Sequence, residues 1–206
     1  LAGYVSVLFL PDDGEVNPMN LLSQLGLGLD MRLGSVSGVD AAAHVAHVGA
    51  LRVTYRSVVF ATNAWTSALL PSLSVAPARA QMLATEPLPS ALGAPCYARD
   101  GFDYFRQLDD GRVLVGGLRD AFVDAEATDD PDPSAEVQAA LDVLVETHLP
   151  FARGARIERR WAGTMGFTPP ELPYVGALGD DRFAVLGFTG HGLGLALGCA
   201  ELCAAE

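Results

Sequence analysis

The segment VLGFTGHGLGLALG, residues 185–198, limits the architecture more than any other stretch. An apolar run meets glycines at 187, 190, 192 and 194, and a helical pattern then continues to Glu206. A strand that feeds a glycine-rich turn and opens a helix suits an electron-rich ligand. The first helical N–H groups lack intrahelical partners, and the helix dipole adds partial positive charge there. Glycine also permits close backbone approach and dihedrals that other residues avoid. The same pattern serves equally for tight packing of a helix on a sheet. No second strand follows within the chain to complete a βαβ unit.

Half of the 206 residues are apolar and 18% are charged, which fits one sizeable core or two small interleaved domains rather than disorder. Every apolar run is broken by Gly, Pro or charge short of the ~20 residues of a membrane helix, so no membrane span is expected. The net charge is −12 and all 13 basic residues are arginine, which argues against nucleic acid as a partner. Cys96, Cys199 and Cys203 form no disulfide framework and fit a reducing, cytoplasmic setting. The chain opens at Leu1 with the apolar GYVSVLFL and no signal-peptide pattern, so it reads as the interior of a longer polypeptide.

Local patterns predict a mixed α/β architecture. A strand is expected within residues 4–10, then a short helix with Asn17 as N-cap and Pro18 at its first position. Short β segments occupy 29–62, ending in the apolar Val58–Ala61, which suits a strand of a parallel sheet covered on both faces. NAWTSALLP reads as a helical turn closed by Pro71. PARAQMLATEPL is a strand, and FDYFRQLDDGRVLVGGLRD a hairpin turning at Asp110-Gly111. Apolar residues at 137, 140, 141, 144, 145 and 149 make a helical stripe ended by Pro150. ARIERRWAGTMGF and RFAVLGF read as strands separated by an irregular TPPELPYVG loop.

Familiar catalytic patterns are missing: there is no G-x-S-x-G, no Walker loop and no H-E-x-x-H. His44 and His47 lie in a strand-like pattern that sends them to opposite faces, so no metal site is expected. The acidic pairs Asp12-Asp13, Asp109-Asp110 and Asp129-Asp130 sit in turn contexts with Gly or Pro and read as solvated.

GFTGHGLGLALG, together with DDGEVNPMNLL, SVVFATNAWTSALLP, PARAQML, DYFRQLDDGRVLVGG and RRWAGTMGFTPPELPYVG, resembles the D-amino-acid oxidase superfamily of flavoproteins. That group includes glycine oxidase, sarcosine oxidase and gamma-glutamylputrescine oxidase-like enzymes. The six stretches occur in the family's order over nearly the whole chain. The resemblance implies a partial Rossmann-like FAD-binding domain interleaved with a β-sheet substrate-binding domain. Residues 1–26 would be the substrate-domain entry, 27–75 part of the FAD-binding domain, 76–150 the substrate sheet and helix, and 151–206 the return to the FAD-binding domain. The family's G-x-G-x-x-G turn has no counterpart in residues 1–206.

By the same resemblance, Val36 contacts adenine through its backbone, and Ala61, Thr62 and Asn63 lie near the phosphates. Gly190, His191, Gly192, Leu193 and Gly194 form the loop facing the flavin's pyrimidine edge, where amides favour the reduced ring. Tyr104 and Arg106 match the strand facing the substrate, and Met165 or Thr168 takes the place of a carboxylate-binding arginine. The loop 161–176 contains no arginine, so Arg106 or a residue outside the chain anchors a carboxylate, or else the substrate is a simple amine. No cysteine lies near Gly163, so FAD would be non-covalent. The implied activity is oxidation of a C–N bond in an amine or amino acid by hydride transfer to FAD, with residues 1–206 inactive alone. The alternative is a fragment or subunit that binds no FAD by itself and needs a nucleotide-binding partner. Unpaired sheet edges would also favour homo-oligomers.

Overall fold

The computed structural model describes all of residues 1–206. In chain order the elements are α1 (Pro18–Leu25), β1 (Val36–Asp40), β2 (Val45–Val48), β3 (Leu51–Thr54), β4 (Val58–Phe60), α2 (Thr66–Leu69), β5 (Ala76–Pro87) and β6 (Cys96–Ala98). They continue with β7 (Asp103–Gln107), β8 (Arg112–Gly117), α3 (Ala135–His148), β9 (Ile157–Phe167), β10 (Tyr174–Gly179), β11 (Arg182–Leu186) and α4 (Gly192–Ala204). The class is mixed α/β, as the patterns predict. The chain divides into two compact units, Leu1–Glu15 with Ala78–Thr164, and Val16–Pro77 with Met165–Glu206.

The first unit is built on a five-stranded sheet of order β6-β7-β8-β5-β9. Its hairpin turns at Asp110-Gly111 as expected, with Asp103 paired to Gly117 and Gln107 to Val113. α3 starts at Ser134, whose Oγ accepts from Val137 N, and it buries Val137, Leu141, Leu144 and Val145. This stripe packs on Leu83, Phe105, Val113 and Val115 of one sheet face. Each fully buried aliphatic side chain contributes about 1.5–3 kcal/mol.

The periodicity gives no hint of the buried polar cluster beside α3. Arg79 Nη2 donates to Glu126 Oε1 at 2.8 Å, Gln81 Nε2 donates to the same oxygen at 2.8 Å, and Gln138 Nε2 donates to Gln81 Oε1 at 3.1 Å. Arg79 Nη1 also donates to Asp132 O at 2.6 Å. The cluster ties the acidic loop before α3 to β5.

In the second unit β4 lies parallel to β11, with Val58 opposite Arg182 and Phe60 opposite Ala184, and β10 pairs antiparallel on the other side of β11. Its core is Phe60, Leu70, Val75, Ala184 and Leu186. β1, β2 and β3 form a separate antiparallel meander. α1 is capped as expected, Asn17 Oδ1 accepting from Met19 N and Asn20 N. No helix is long and apolar enough to cross a membrane.

Four expectations are corrected. Residues 4–10 form no strand: only Tyr4 packs, on Phe105 and His148, while Val5 and Val7 to Leu10 are exposed. High β propensity creates no strand without a neighbour to take the backbone hydrogen bonds. The TPPELPYVG loop ends early, because Tyr174 onward pairs with β11. β4 is not covered on both faces, since Val59 is exposed. His44 lies outside β2, at a φ of 51°, in the turn before it, so strand alternation does not relate it to His47.

Glu126→Ala strands the Arg79 guanidinium among buried groups and is expected to cost about 3–5 kcal/mol in urea unfolding. A loss below 1 kcal/mol, roughly that of an exposed ion pair, contradicts this account of the cluster.

Candidate functional site

Two loops of the second unit meet at one glycine. β4 runs into Ala61, Thr62 and Asn63, followed by a helical turn and α2. Asn63 adopts a left-handed φ of 48°, which asparagine tolerates better than most residues. Thr66, fully buried, donates its Oγ1–H to Asn63 O at 2.7 Å and lies 2.9 Å from Thr62 Oγ1. Asn63 Oδ1 accepts from Gly166 N at 2.7 Å. A Cβ on Gly166 would stand 3.0 Å from Asn63 C and 3.1 Å from Ala64 N, so β9 passes the loop at backbone distance.

The other side of Gly166 holds the second loop: Thr189 N donates to Gly166 O at 3.1 Å. This loop leaves β11 through Gly187, φ 75°, where a Cβ would collide with Thr168 Cγ2. Thr189 and Gly190 then take φ values of 51° and 87°. A left-handed threonine is strained by its β-branch. Burial and three hydrogen bonds hold it: its amide to Gly166, its Oγ1 accepting from Thr168 N at 3.3 Å and donating to Gly187 O at 3.3 Å. His191 N donates to Phe188 O at 2.9 Å, and His191 Nδ1 donates to Thr189 O at 3.0 Å.

α4 begins directly after this turn. His191 stands at the N-cap without capping through its side chain, so Gly192, Leu193 and Gly194 present amides without a side-chain acceptor. Nothing lies within 4 Å of a Cβ built on Gly194, and only Met165 Sδ, at 3.9 Å, meets one built on Gly190. Open space therefore adjoins a row of N–H donors at the positive end of a helix.

The predicted residues fall into three groups. Asn63, Met165, Gly190, His191 and the amides through Gly194 share this corner, with Ala61 and Thr62 leading into it. Val36 starts the meander, paired with Val48. Tyr104 and Arg106 belong to the other unit, on β7 facing away from Phe105 and α3. The Tyr104 ring lies across Gly116, where a Cβ would collide with it, and burial pushes its phenol pKa up. Arg106 Nη1 donates to Glu15 Oε2 at 2.9 Å. Sequence reading missed Gly166, Thr189 and Glu15. A Thr-Gly step before G-H-G is the one local signal for a strained turn; Glu15, in a polar coil, carries none.

The whole chain, residues 1–206, matches the family described as DAO, FAD dependent oxidoreductase. The gamma-glutamylputrescine oxidoreductase of Escherichia coli K12 is 24% identical over 92% of this chain and 47% of its own length. The glycine oxidase of Pseudomonas putida KT2440 is 28% identical over 72% of this chain and 38% of its own length. The solved iminodiacetate oxidase of Chelativorans sp. BNC1 shares the fold with a TM-score of 0.72 and 20% identity, covering 84% of this chain and 48% of that one. The chain spans about half the length of the curated relatives it matches.

Replacing Asn63 by Ala removes the acceptor of a buried amide and adds left-handed strain, an expected cost of about 2–4 kcal/mol. Asn63→Gly keeps the backbone conformation and should cost about 1 kcal/mol less. Equal losses in thermal denaturation contradict the strain assignment.

Proposed function

Since the chain belongs to the DAO family of FAD-dependent oxidoreductases, we propose that it contributes the flavin-facing loop and the substrate sheet of an enzyme oxidising the C–N bond of an amine or amino acid. When bound, FAD supplies the ring that accepts the hydride. The observation that carries the reading is the uncapped start of α4 beside open space, held by the Thr189–Gly190 turn.

The donor set fits the group. Amides of Gly192, Leu193 and Gly194 suit the electron-rich pyrimidine edge, and fixed donors stabilise charge that develops there. Gly190 lets the turn approach closely, with Met165 beside it and His191 holding the turn through Nδ1. Ala61, Thr62 and Asn63 would lie near the phosphates and Val36 near adenine. Tyr104 offers a phenol O–H and Arg106 a fixed cation to the substrate. The relatives' printed names, a gamma-glutamylputrescine oxidoreductase and a glycine oxidase, support an amine or amino acid as the substrate class. The unpaired cysteines suit a cytoplasmic setting.

A second reading, self-association or a partner polypeptide that completes nucleotide binding, is favoured by exposed apolar side chains. Leu193, Leu195, Leu197 and Leu202 of α4 and Val7 to Leu10 face solvent in the isolated chain. Concentration-dependent growth of mass in light scattering is expected, and a monomer at all concentrations contradicts self-association.

FAD-loaded protein mixed anaerobically with a panel of amines and amino acids is expected to lose its oxidised-flavin absorbance. Gly194→Asp places a carboxylate in open space where it favours the helix, yet opposes negative charge on the ring. That variant should fold normally and bleach on the order of tenfold more slowly. Bound flavin that stays oxidised across the panel overturns the reading.

A further inference from the structure

The left-handed turn that precedes α4 stands on few supports. Thr189, φ 51°, and Gly190, φ 87°, carry the chain from β11 to the helix. Glycine accepts either sign of φ at little cost, but a β-branched residue in the left-handed region is strained. A turn with Thr189 at negative φ therefore competes, and it swings the Thr189 amide away from its acceptor. Gly166 O is that acceptor, at 3.1 Å, and the two bonds of Thr189 Oγ1 are longer, at 3.3 Å. The turn passes its direction on. His191 Nδ1 donates to Thr189 O at 3.0 Å, and His191 O accepts from Leu195 N at 3.2 Å in the first turn of α4.

Gly166 has no side chain to fix its own position. Its N–H donates to Asn63 Oδ1 at 2.7 Å, a shorter bond than any that Thr189 makes. The point where a Cβ would stand is closed by Val75 Cγ1 at 2.9 Å and by the backbone of Asn63 and Ala64. Asn63, itself left-handed at φ 48°, is braced from behind, since the buried Thr66 donates its Oγ1–H to Asn63 O at 2.7 Å. Bonds in series, Asn63 to Gly166, Gly166 to Thr189 and Thr189 to His191, thus lead from the end of β4 to the start of α4.

We propose that Asn63 is a positioning residue for the amide row of α4: through Gly166 it holds Thr189 in the left-handed turn and so aims the N–H groups of Gly192, Leu193 and Gly194. The inference rests on reading this corner as flavin-facing. Asn63 then tunes the flavin without touching its ring. A hydrogen bond to a charged acceptor is about twice as strong as one to a neutral acceptor, so a misaimed amide weakens the reduced, electron-rich ring more than the oxidised one. The linkage is reciprocal, so a ligand that steadies the Asn63 loop also steadies the turn before α4.

Backbone amide signals of the 15N-labelled chain without flavin test the coupling. Asn63→Gly keeps the left-handed backbone and removes the acceptor, and the signals of Thr189 to Gly194 are expected to move while those of β1 to β3 stay in place. Asn63→Asp keeps an oxygen for Gly166 N–H and should return them close to their original positions. A loss of stability alone leaves native-state signals where they are, so the shifts report position. In FAD-loaded protein, Asn63→Gly should reduce the preference for reduced over oxidised flavin on the order of tenfold, which lowers the two-electron midpoint potential by about 30 mV. Unmoved signals at 189–194, an equal movement in Asn63→Asp, or an unchanged potential overturns the proposal. The first arm involves no flavin: moved signals in a chain that takes up no FAD retain the coupling and remove the flavin reading, and amine-dependent bleaching with unmoved signals does the reverse.

Discussion

The backbone of Gly166 carries the arrangement of the second unit. Its N–H donates to Asn63 Oδ1 and its carbonyl accepts from Thr189 N, so a single peptide unit on each side fixes two loops distant in sequence. Both loops contain left-handed, non-glycine residues, Asn63 and Thr189, which neither would adopt freely. The absent Cβ is what allows the approach, since any side chain at 166 would press on the backbone of Asn63 and Ala64. Strain in the loops is thus opposed by hydrogen bonds to a third element, and the direction in which α4 leaves the turn follows from it.

The other unit solves a different problem. Its sheet is covered on one face by the α3 stripe, and the polar loop before α3 is locked by Arg79, Glu126, Gln81 and Gln138. The opposite face of β7 carries Tyr104 and Arg106, which alternate with the buried Phe105. The incomplete satisfaction of Arg106 contrasts with the fully bonded Arg79 network in the same unit.

Much of this was legible beforehand where local chemistry decides the outcome. The Asn17-Pro18 cap, the hairpin at Asp110-Gly111 and the α3 stripe each have their cause within a few residues, and each forms as expected. The strand–glycine–helix order of 185–198 likewise survives into β11, the turn and α4. Failures arose where a distant partner decides. GYVSVLFL has strand composition but meets no sheet edge, and Tyr174 joins a strand because β11 is there to pair with it. The bond of Gly166 to Asn63 and the pairing of Glu15 with Arg106 connect residues about 100 and 90 positions apart, which no window of sequence reports.

The proposed function turns on the amides of Gly192, Leu193 and Gly194 facing an electron-rich ring. Hydrogen–deuterium exchange of those amides, measured with and without bound FAD, tests this directly. Slowed exchange at Gly192, Leu193 and Gly194 on flavin binding, with the mid-helix amides unchanged, is the predicted result. Flavin that binds while these amides exchange at their original rates would contradict it.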